Sequence, residues 1–435
     1  STANTAIGYR AGKAITSGDN NVAIGASAGA AITSGQQNVA IGYQAMLTHT
    51  TGGNNIAIGY GAMNDTNNHA DTLASTDNIF IGLDSGGGTW ETNDCNYNVG
   101  VGNNVMDAAM NGIVYCTAMG HNALSSVTTN TGTGGGGSYN TAFGSSALTA
   151  NLTGEGNVAV GGSAGLGQTT GEKNVWIGGS AGAAMNGDKN VAVGSSAMYG
   201  VGTPTGDFNV AMGYQAMKGA TAALTGDNNV AVGKDAGLIL QGAAHSNTFI
   251  GTTSGNVATT AVENTCLGFN ADIQDATATN QIVIGNNVTG TADNAVHIGN
   301  DTSHIRCDFN SDQTWDASSD KRQKKDIKES ELGLAFINDL KPSKYRHKSP
   351  SEFPEEWKAH NPDDKEPMGG SDKYYYGFIA QEVKDTIDKH DAPDYGAWNV
   401  DNDGRQRVSR EQFVVSLVKA VQELSLEVNN LKQQL

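Results

Sequence analysis

No run of about 18 apolar residues occurs in this 435-residue chain, and its N-terminus lacks a basic-then-apolar leader pattern. Neither a membrane-spanning helix nor export by the usual leader is therefore expected. Cysteine is scarce. Cys95, Cys116, Cys266 and Cys307 are scattered without Cys-x-x-Cys or any His/Cys spacing that zinc requires, which reads as free thiols in a reducing cytosol. Charge is scarce too, at 16% of residues, and it is lopsided: residues 1–310 hold 7 Lys/Arg against 20 Asp/Glu, a balance of 7 − 20 = −13. Such a surface excludes nucleic acid as a partner, because phosphate binding needs clustered Lys/Arg. No metal or cofactor is called for either. His297 and His304 lack His-x-His spacing, and turns such as Gly187-Asp188-Lys189 lack the strict Gly/Asp nonapeptide of calcium β-rolls. The chain starts Ser1-Thr2-Ala3 without methionine, which predicts a processed product or the distal part of something longer.

What is abundant is repetition. Asn-Val-Ala-Ile-Gly or a close variant starts at residues 4, 21, 38, 55, 78, 98, 116, 140, 157, 174, 190, 209, 229, 247, 264, 281 and 295, most often 17 residues apart. That period is far below helical-repeat lengths, so each unit reads as one coil of a β-roll or β-solenoid. Val22 and Ile24 alternate with Ala23 as in a strand with one buried face, Gly25 ends the strand, and Thr51-Gly52-Gly53-Asn54 makes a return turn. Each coil offers about two β-branched residues and two or three alanines, a thin core for a free-standing solenoid. Self-association of three rolls around one axis would supply the missing burial.

The repeat phrase resembles the head repeats of trimeric autotransporter adhesins, which implies a trimeric parallel β-roll over residues 1–300. Copies between 55 and 140 are spaced more widely, with inserts at 64–76, 86–96 and 125–138. Extra residues in a solenoid emerge as loops, so His69, Trp90, Tyr97 and His121 are candidate receptor contacts, or else drift in tolerated loops. Trp176, which replaces a repeat alanine, reads as packing between coils.

After a neck at 301–318 the composition turns α+β. A short helix is expected near 330–337, a strand at 342–346, a long polar loop at 349–371, a strand running into a helix at 374–383, and a final helix from Ser409. In that helix Val414, Leu417, Val421, Leu424, Val428, Leu431 and Leu435 keep a strict 3-4 spacing, a coiled-coil seam over about 411–435 that makes this end oligomeric. Val at one seam position and Leu at the other favours two strands in isolation; the β-roll resemblance favours three.

The boundary itself carries Ser319-Asp320-Lys321-Arg322-Gln323-Lys324-Lys325-Asp326-Ile327. A Ser/Lys pair is a known way to activate a hydroxyl without histidine, although the pair alone also fits a solvated charged turn. With Leu340-Lys341-Pro342-Ser343-Lys344-Tyr345, Gly377-Phe378-Ile379-Ala380-Gln381-Glu382-Val383 and Leu417-Val418-Lys419-Ala420-Val421-Gln422-Glu423-Leu424 in the same order, residues 319–435 resemble the self-cleaving intramolecular chaperone domain of phage tailspikes and tail fibres. The resemblance implies Ser319 as nucleophile on the Ser318 carbonyl and Lys324 as general base, with Asp320, Lys321 and Arg322 in support. It also implies a homotrimer in a virion tail, made in the host cytoplasm, joined to upstream tail components and bound to a polysaccharide or protein receptor on the host cell. A depolymerase head or a bacterial surface adhesin is the alternative. The first would need paired carboxylates on a concave face, and the acids fall mostly in turns.

Overall fold

The structure, a computed structural model, describes residues 2–66, 74–91, 93–128, 136–219, 221–310, 316–317, 319–357, 359–367, 373–401 and 404–434. It divides into two compact units, Ser1–Ser318 and Ser319–Leu435.

The first unit is a parallel β-solenoid. Among the described residues, β1 (Thr5–Ile7) opens a series of three-residue strands that runs to β15 (Thr265–Leu267), followed by the six-residue β16 (Gln281–Asn286) and β17 (Ala295–Asn300). Each strand pairs in parallel with the next, and the register holds across spacings from 14 to 24 residues: Ala6, Ala23, Ala40, Ala57, Phe80, Gly100 and Ala118 face one another in turn. At ~4.8 Å per coil the stack is roughly 77 Å long.

The strand alternation has a definite sense. Ala23, Ala40 and Ala57 are buried, whereas the flanking Val and Ile residues are only half-buried and point outward; Ala142 and Ala159 are buried likewise, with Phe143 and Val160 exposed on the outer face. At the middle of the strand the alanines face into the coil, where Met46, Met63, Leu124 and Leu148 of the segment that follows the strand are also buried, and the β-branched strand residues counted above as core are on its outer face. Room inside is set by small side chains, and bulky exceptions are matched by glycine. Phe80 is wholly buried and its neighbour in the next coil is Gly100, where an added Cβ would stand 2.5 Å from the ring. Trp176 is buried as expected, donating its indole N–H to Gln168 Oε1 at 2.6 Å.

A buried asparagine column ties the coils together. Asn38 Oδ1 accepts the backbone N–H of Asn55 at 3.0 Å, while Asn38 Nδ2 donates to the Gly52 carbonyl of its own return turn at 2.9 Å. The arrangement repeats from Asn21 through Asn264, with Cys116 standing in one place. Every Asn thus satisfies groups that burial would otherwise leave unpaired. The glycine after each strand lets successive coils approach: Gly25 has φ +130°, and a Cβ there would lie 2.5 Å from the Gly42 carbonyl oxygen.

The parallel stack ends where the chain reverses at Asn300, whose side chain accepts the N–H groups of Thr302 and Ser303. β18 (His304–Asp308) then lies antiparallel on β17 and covers the last rung, with β19 (Asp316–Ala317) beyond it.

The second unit packs α1 (Leu334–Asp339), α2 (Ala380–Lys389) and α3 (Phe413–Gln434) around Phe336, Leu340, Val383, Ile387, Ala397 and Phe413. β20 (Ser343–Tyr345) pairs antiparallel with β21 (Tyr375–Gly377), as the strand and strand-to-helix expectations required. A second hairpin of β22 (Trp398–Val400) and β23 (Gln406–Val408) was not read from the sequence. α1 starts at Gly333, which offers no side-chain cap, and Glu423 of α3 takes that role by accepting the Leu334 N–H at 2.7 Å.

Candidate functional site

The Ser/Lys pair is built by one tight turn. Asp320 caps a 3-10 turn over Lys321–Gln323 by accepting the Arg322 N–H at 2.8 Å, and Lys324 N–H closes it on the Lys321 carbonyl at 3.1 Å. The chain therefore doubles back, and Lys324 Nζ donates to Ser319 Oγ at 2.6 Å. The two residues named as nucleophile and base are thus in direct contact, five positions apart. Ser318 lies outside the described residues.

Two of the charges named in support pair with each other. The Arg322 guanidinium folds onto the Asp320 carboxylate, with Nη2 to Oδ2 at 2.6 Å and Nε to Oδ1 at 3.0 Å, and holds that carboxyl below its usual range. Arg322 is neutralised by this pair instead of bearing on Lys324. Ser319, Lys321 and Lys324 are all exposed. A lysine serves as general base only when burial or a nearby cation disfavours its charged form, and the described residues of this unit leave the pair open to water.

From Lys324 to Glu329 the chain runs as an exposed arm, with Asp326 at φ +56° and Ile327 61% exposed. Its anchor is an ion pair from Glu329 Oε1 to Lys419 Nζ of α3, at 2.5 Å. The same helix carries the seam. Val414, Leu417, Val421, Leu424, Val428 and Leu431 are all exposed, and so is a second stripe of Val415, Val418 and Leu426, while Phe413, Ser416 and Ala420 face the unit's own core. The first three turns of α3 are therefore apolar on nearly every side, a pattern that belongs to helices enclosed by neighbours.

On the solenoid, the candidate receptor residues separate. Trp90 is not on a loop surface: it is 0% exposed, edge-on to Phe80 at 6.1 Å between ring centroids, with its indole N–H on the Gly86 carbonyl. The longer coil is wider inside and needs filling, and Met110 and Ile113 do the same in the next coil. His69 lies outside the described residues, and His121 is exposed. Tyr97 is exposed and opens a stack unseen in the sequence: Tyr97–Tyr115 at 5.0 Å and Tyr115–Tyr139 at 5.2 Å between centroids. All three have φ near +60°, a left-handed conformation that Asn or Gly would adopt at less cost.

Along the outer face, Ile24, Ile41, Ile58, Ile81, Val101 and Met119 stand one above the next in strict register, and the column continues to Ile298. Beside it runs a parallel column beginning Val22, Val39 and Ile56. Among the described residues no helix is long and apolar enough to cross a membrane, and no group of three or more His, Cys, Asp or Glu is placed to hold a metal ion.

Comparison with known families finds one likeness, in the second unit. Residues 319–392 match the model of the peptidase S74 family, the chaperone of endosialidase. The match begins at Ser319, the first residue of the compact C-terminal unit. That family is a self-cleaving chaperone domain, and the match together with the β-solenoid ahead of it fits a protein of the tail-fibre or tailspike type. No curated protein and no solved structure matches the chain.

Proposed function

We propose that this chain is a phage tail fibre or tailspike whose C-terminal unit brings three copies together, guides the roll into register, and then releases itself by one self-cleavage before Ser319. The observation that carries the reading is the 2.6 Å contact from Lys324 Nζ to Ser319 Oγ, at the residue where the S74 match starts. Lys324 takes the hydroxyl proton as Oγ attacks the Ser318 carbonyl carbon. The Ser319 amide nitrogen leaves as an amine, giving an ester between Ser318 and Ser319 Oγ, and water then splits the ester to a Ser318 carboxylate and a free Ser319 hydroxyl. Because the pair is open to water in one chain, the desolvation that frees the lysine base comes from neighbouring copies, and cleavage waits for assembly.

Self-association is supported by the two apolar surfaces. The outer columns present two half-exposed Val/Ile-type side chains in most coils, a continuous stripe that water solvates poorly and a parallel copy would cover. The width of the apolar surface on α3 favours more than one neighbour over the two-stranded coil that its Val/Leu seam alone predicts. For the host contact, the exposed Tyr97, Tyr115 and Tyr139, stacked on one another, and the exposed His121 are the candidates that the insert region offers among the described residues named from the sequence or the structure.

Freshly expressed protein analysed by denaturing gel and intact mass is expected to give residues 1–318 and 319–435 as separate pieces. Ser319→Ala and Lys324→Ala should abolish the cut without preventing assembly, whereas Ser318→Ala should still cut, since only its carbonyl takes part. Cleavage at the same bond in the Ser319→Ala protein would overturn the serine mechanism.

A further inference from the structure

The contact between Ser319 and Lys324 is made by residues that exchange no atoms in the proposed reaction. The bonds that bring the pair together lie within residues 319–324: Asp320 Oδ1 accepts the Arg322 N–H at 2.8 Å, the Lys324 N–H closes on the Lys321 carbonyl at 3.1 Å, and Lys324 Nζ donates to Ser319 Oγ at 2.6 Å. We propose that Asp320 and Arg322 are positioning residues for the self-cleavage, Asp320 by capping the turn that lays the lysine on the serine and Arg322 by holding the Asp320 carboxylate in its capping place. This inference rests on the proposed reaction and adds what sets its geometry: the turn aligns the pair within one chain, and assembly removes the water.

The turn needs such a device. Fully extended, the five steps from Ser319 to Lys324 would span roughly 17 Å, which parts the two side chains. A turn over Lys321–Gln323 removes that distance, yet it fixes several dihedrals for one backbone bond of its own, which is unfavourable unless something else holds it. Burial does not hold it, because Lys321, Arg322 and Lys324 are exposed. What remains is the cap: Asp320 is extended, at φ −66° and ψ 134°, and its side chain takes an amide proton that the turn would leave to water.

Arg322 fixes the cap from the far side. Its Nε donates to both Asp320 oxygens, at 3.0 and 3.1 Å, and its Nη2 to Oδ2 at 2.6 Å. Oδ1 therefore receives the backbone N–H and the side-chain N–H of the same residue, so a carboxylate that leaves the cap must break both. The guanidinium is 89% exposed, and an exposed ion pair contributes little by itself. Arg322 accordingly acts through Asp320, and the loss of Asp320 costs more than the loss of Arg322.

The test follows the full chain after pulse-labelled cell-free synthesis, reading the uncut fraction on denaturing gels. Asp320→Ala is expected to slow the cut roughly five- to thirtyfold, the population that a lost N-cap removes, with the oligomer and its melting point unchanged because the bonds of the turn are local. Asp320→Asn, whose amide oxygen can still accept the Arg322 N–H, should bring the rate back to within about threefold of the native chain. Arg322→Met should slow the native chain by about threefold and the Asp320→Ala chain no further. An unchanged rate in Asp320→Ala, an Asp320→Asn chain as slow as Asp320→Ala, or losses that multiply in the double variant would overturn the positioning role. A second reading needs no cut: in the Ser319→Ala chain, adding Asp320→Ala should quicken hydrogen exchange at the Arg322 and Lys324 amides severalfold, and unchanged exchange would count equally against the cap. Failure of the serine mechanism shows separately, as cleavage of the Ser319→Ala chain.

Discussion

Acidification probes two buried side chains of the roll in opposite directions. His49 is wholly buried, with Nε2 3.2 Å from the Gly52 carbonyl and Nδ1 3.2 Å from Thr66 Oγ1, and burial lowers its pKa from 6.5 to about 4. An unfolded coil takes up the proton first, so the His49 coil loses stability as pH falls below 6.5 and the loss stops growing below about 4. Linkage puts the loss at about 2 kcal/mol between pH 7 and pH 5, and about 3 kcal/mol by pH 4. Asp272 behaves conversely: burial raises its carboxyl to about 6 despite the backbone N–H groups of Val257 and Ile273 that it accepts. Its coil takes up the proton first when folded, so stability is greatest below 3.8 and is lost as pH rises through 6; acidification from pH 7 to pH 5 returns about 1 kcal/mol. Because solenoid coils open locally, native-state hydrogen exchange reads each separately, once corrected for intrinsic rates. Amides around Asn55 should open more easily at pH 5 than at pH 7 and those around Val257 less easily. His49→Gln should flatten the first response, since Gln168 holds the corresponding place and bonds the carbonyl three residues on as His49 does. Equal pH dependence near Asn55 in the wild type and the His49→Gln protein would refute the assignment.

Two further substitutions test how the coils fit. Gly25→Ala should destabilise the coils at 8–42 by more than about 2 kcal/mol, because the backbone is strained and the Cβ meets the Gly42 carbonyl; thermal melting of a roll unchanged by it would be the contrary result. Cys116→Asn should stabilise by about 1 kcal/mol, restoring the amide oxygen that the asparagine column offers to the next coil in place of a buried thiol, and a lowered melting point would count against the column as a stabilising device.

Periodicity made the solenoid legible to the residue, because every strand carries the same phrase and a parallel stack keeps it in register. Its sense was not legible. Val22-Ala23-Ile24 is apolar on both faces, so alternation alone does not say which face turns in. The small cross-section of a coil decides it, admitting a methyl group and an asparagine and excluding a column of Val and Ile. For the same reason the insert at 86–96 misled: Trp90 was expected on a loop, whereas the wider coil leaves space that its side chain fills. In the second unit the apolar runs announced α2 and α3, while β22–β23 is too polar and too short to show a period. The Ser/Lys pair was named through family likeness. Its contact depends on Asp320 capping the intervening turn, a geometry that spacing by five residues does not specify.

The outward columns that support self-association also set a problem that the repeat cannot solve. Since one coil presents nearly the same Val/Ile-type pair as the next, a neighbouring copy displaced by a whole coil loses the contact of one rung among some seventeen and keeps the others. The difference in burial between correct and slipped alignments is therefore small beside the total, and the roll discriminates weakly against slippage on its own. Unequal coil lengths help only where wide coils meet, between Ile56 and Asn140 and again between Asn190 and Asn247. A non-repeating element at one end has no such degeneracy, and in the proposed assembly the C-terminal unit would supply it. Placing that element directly after the last coil makes the first rungs to form the correctly aligned ones, and growth from there proceeds by adding neighbours of fixed register. In the proposed assembly, once the whole stripe is covered the aligning unit would contribute little further stability to the roll, and a cut before Ser319 would leave an assembly that comes apart through the opening of many coils together.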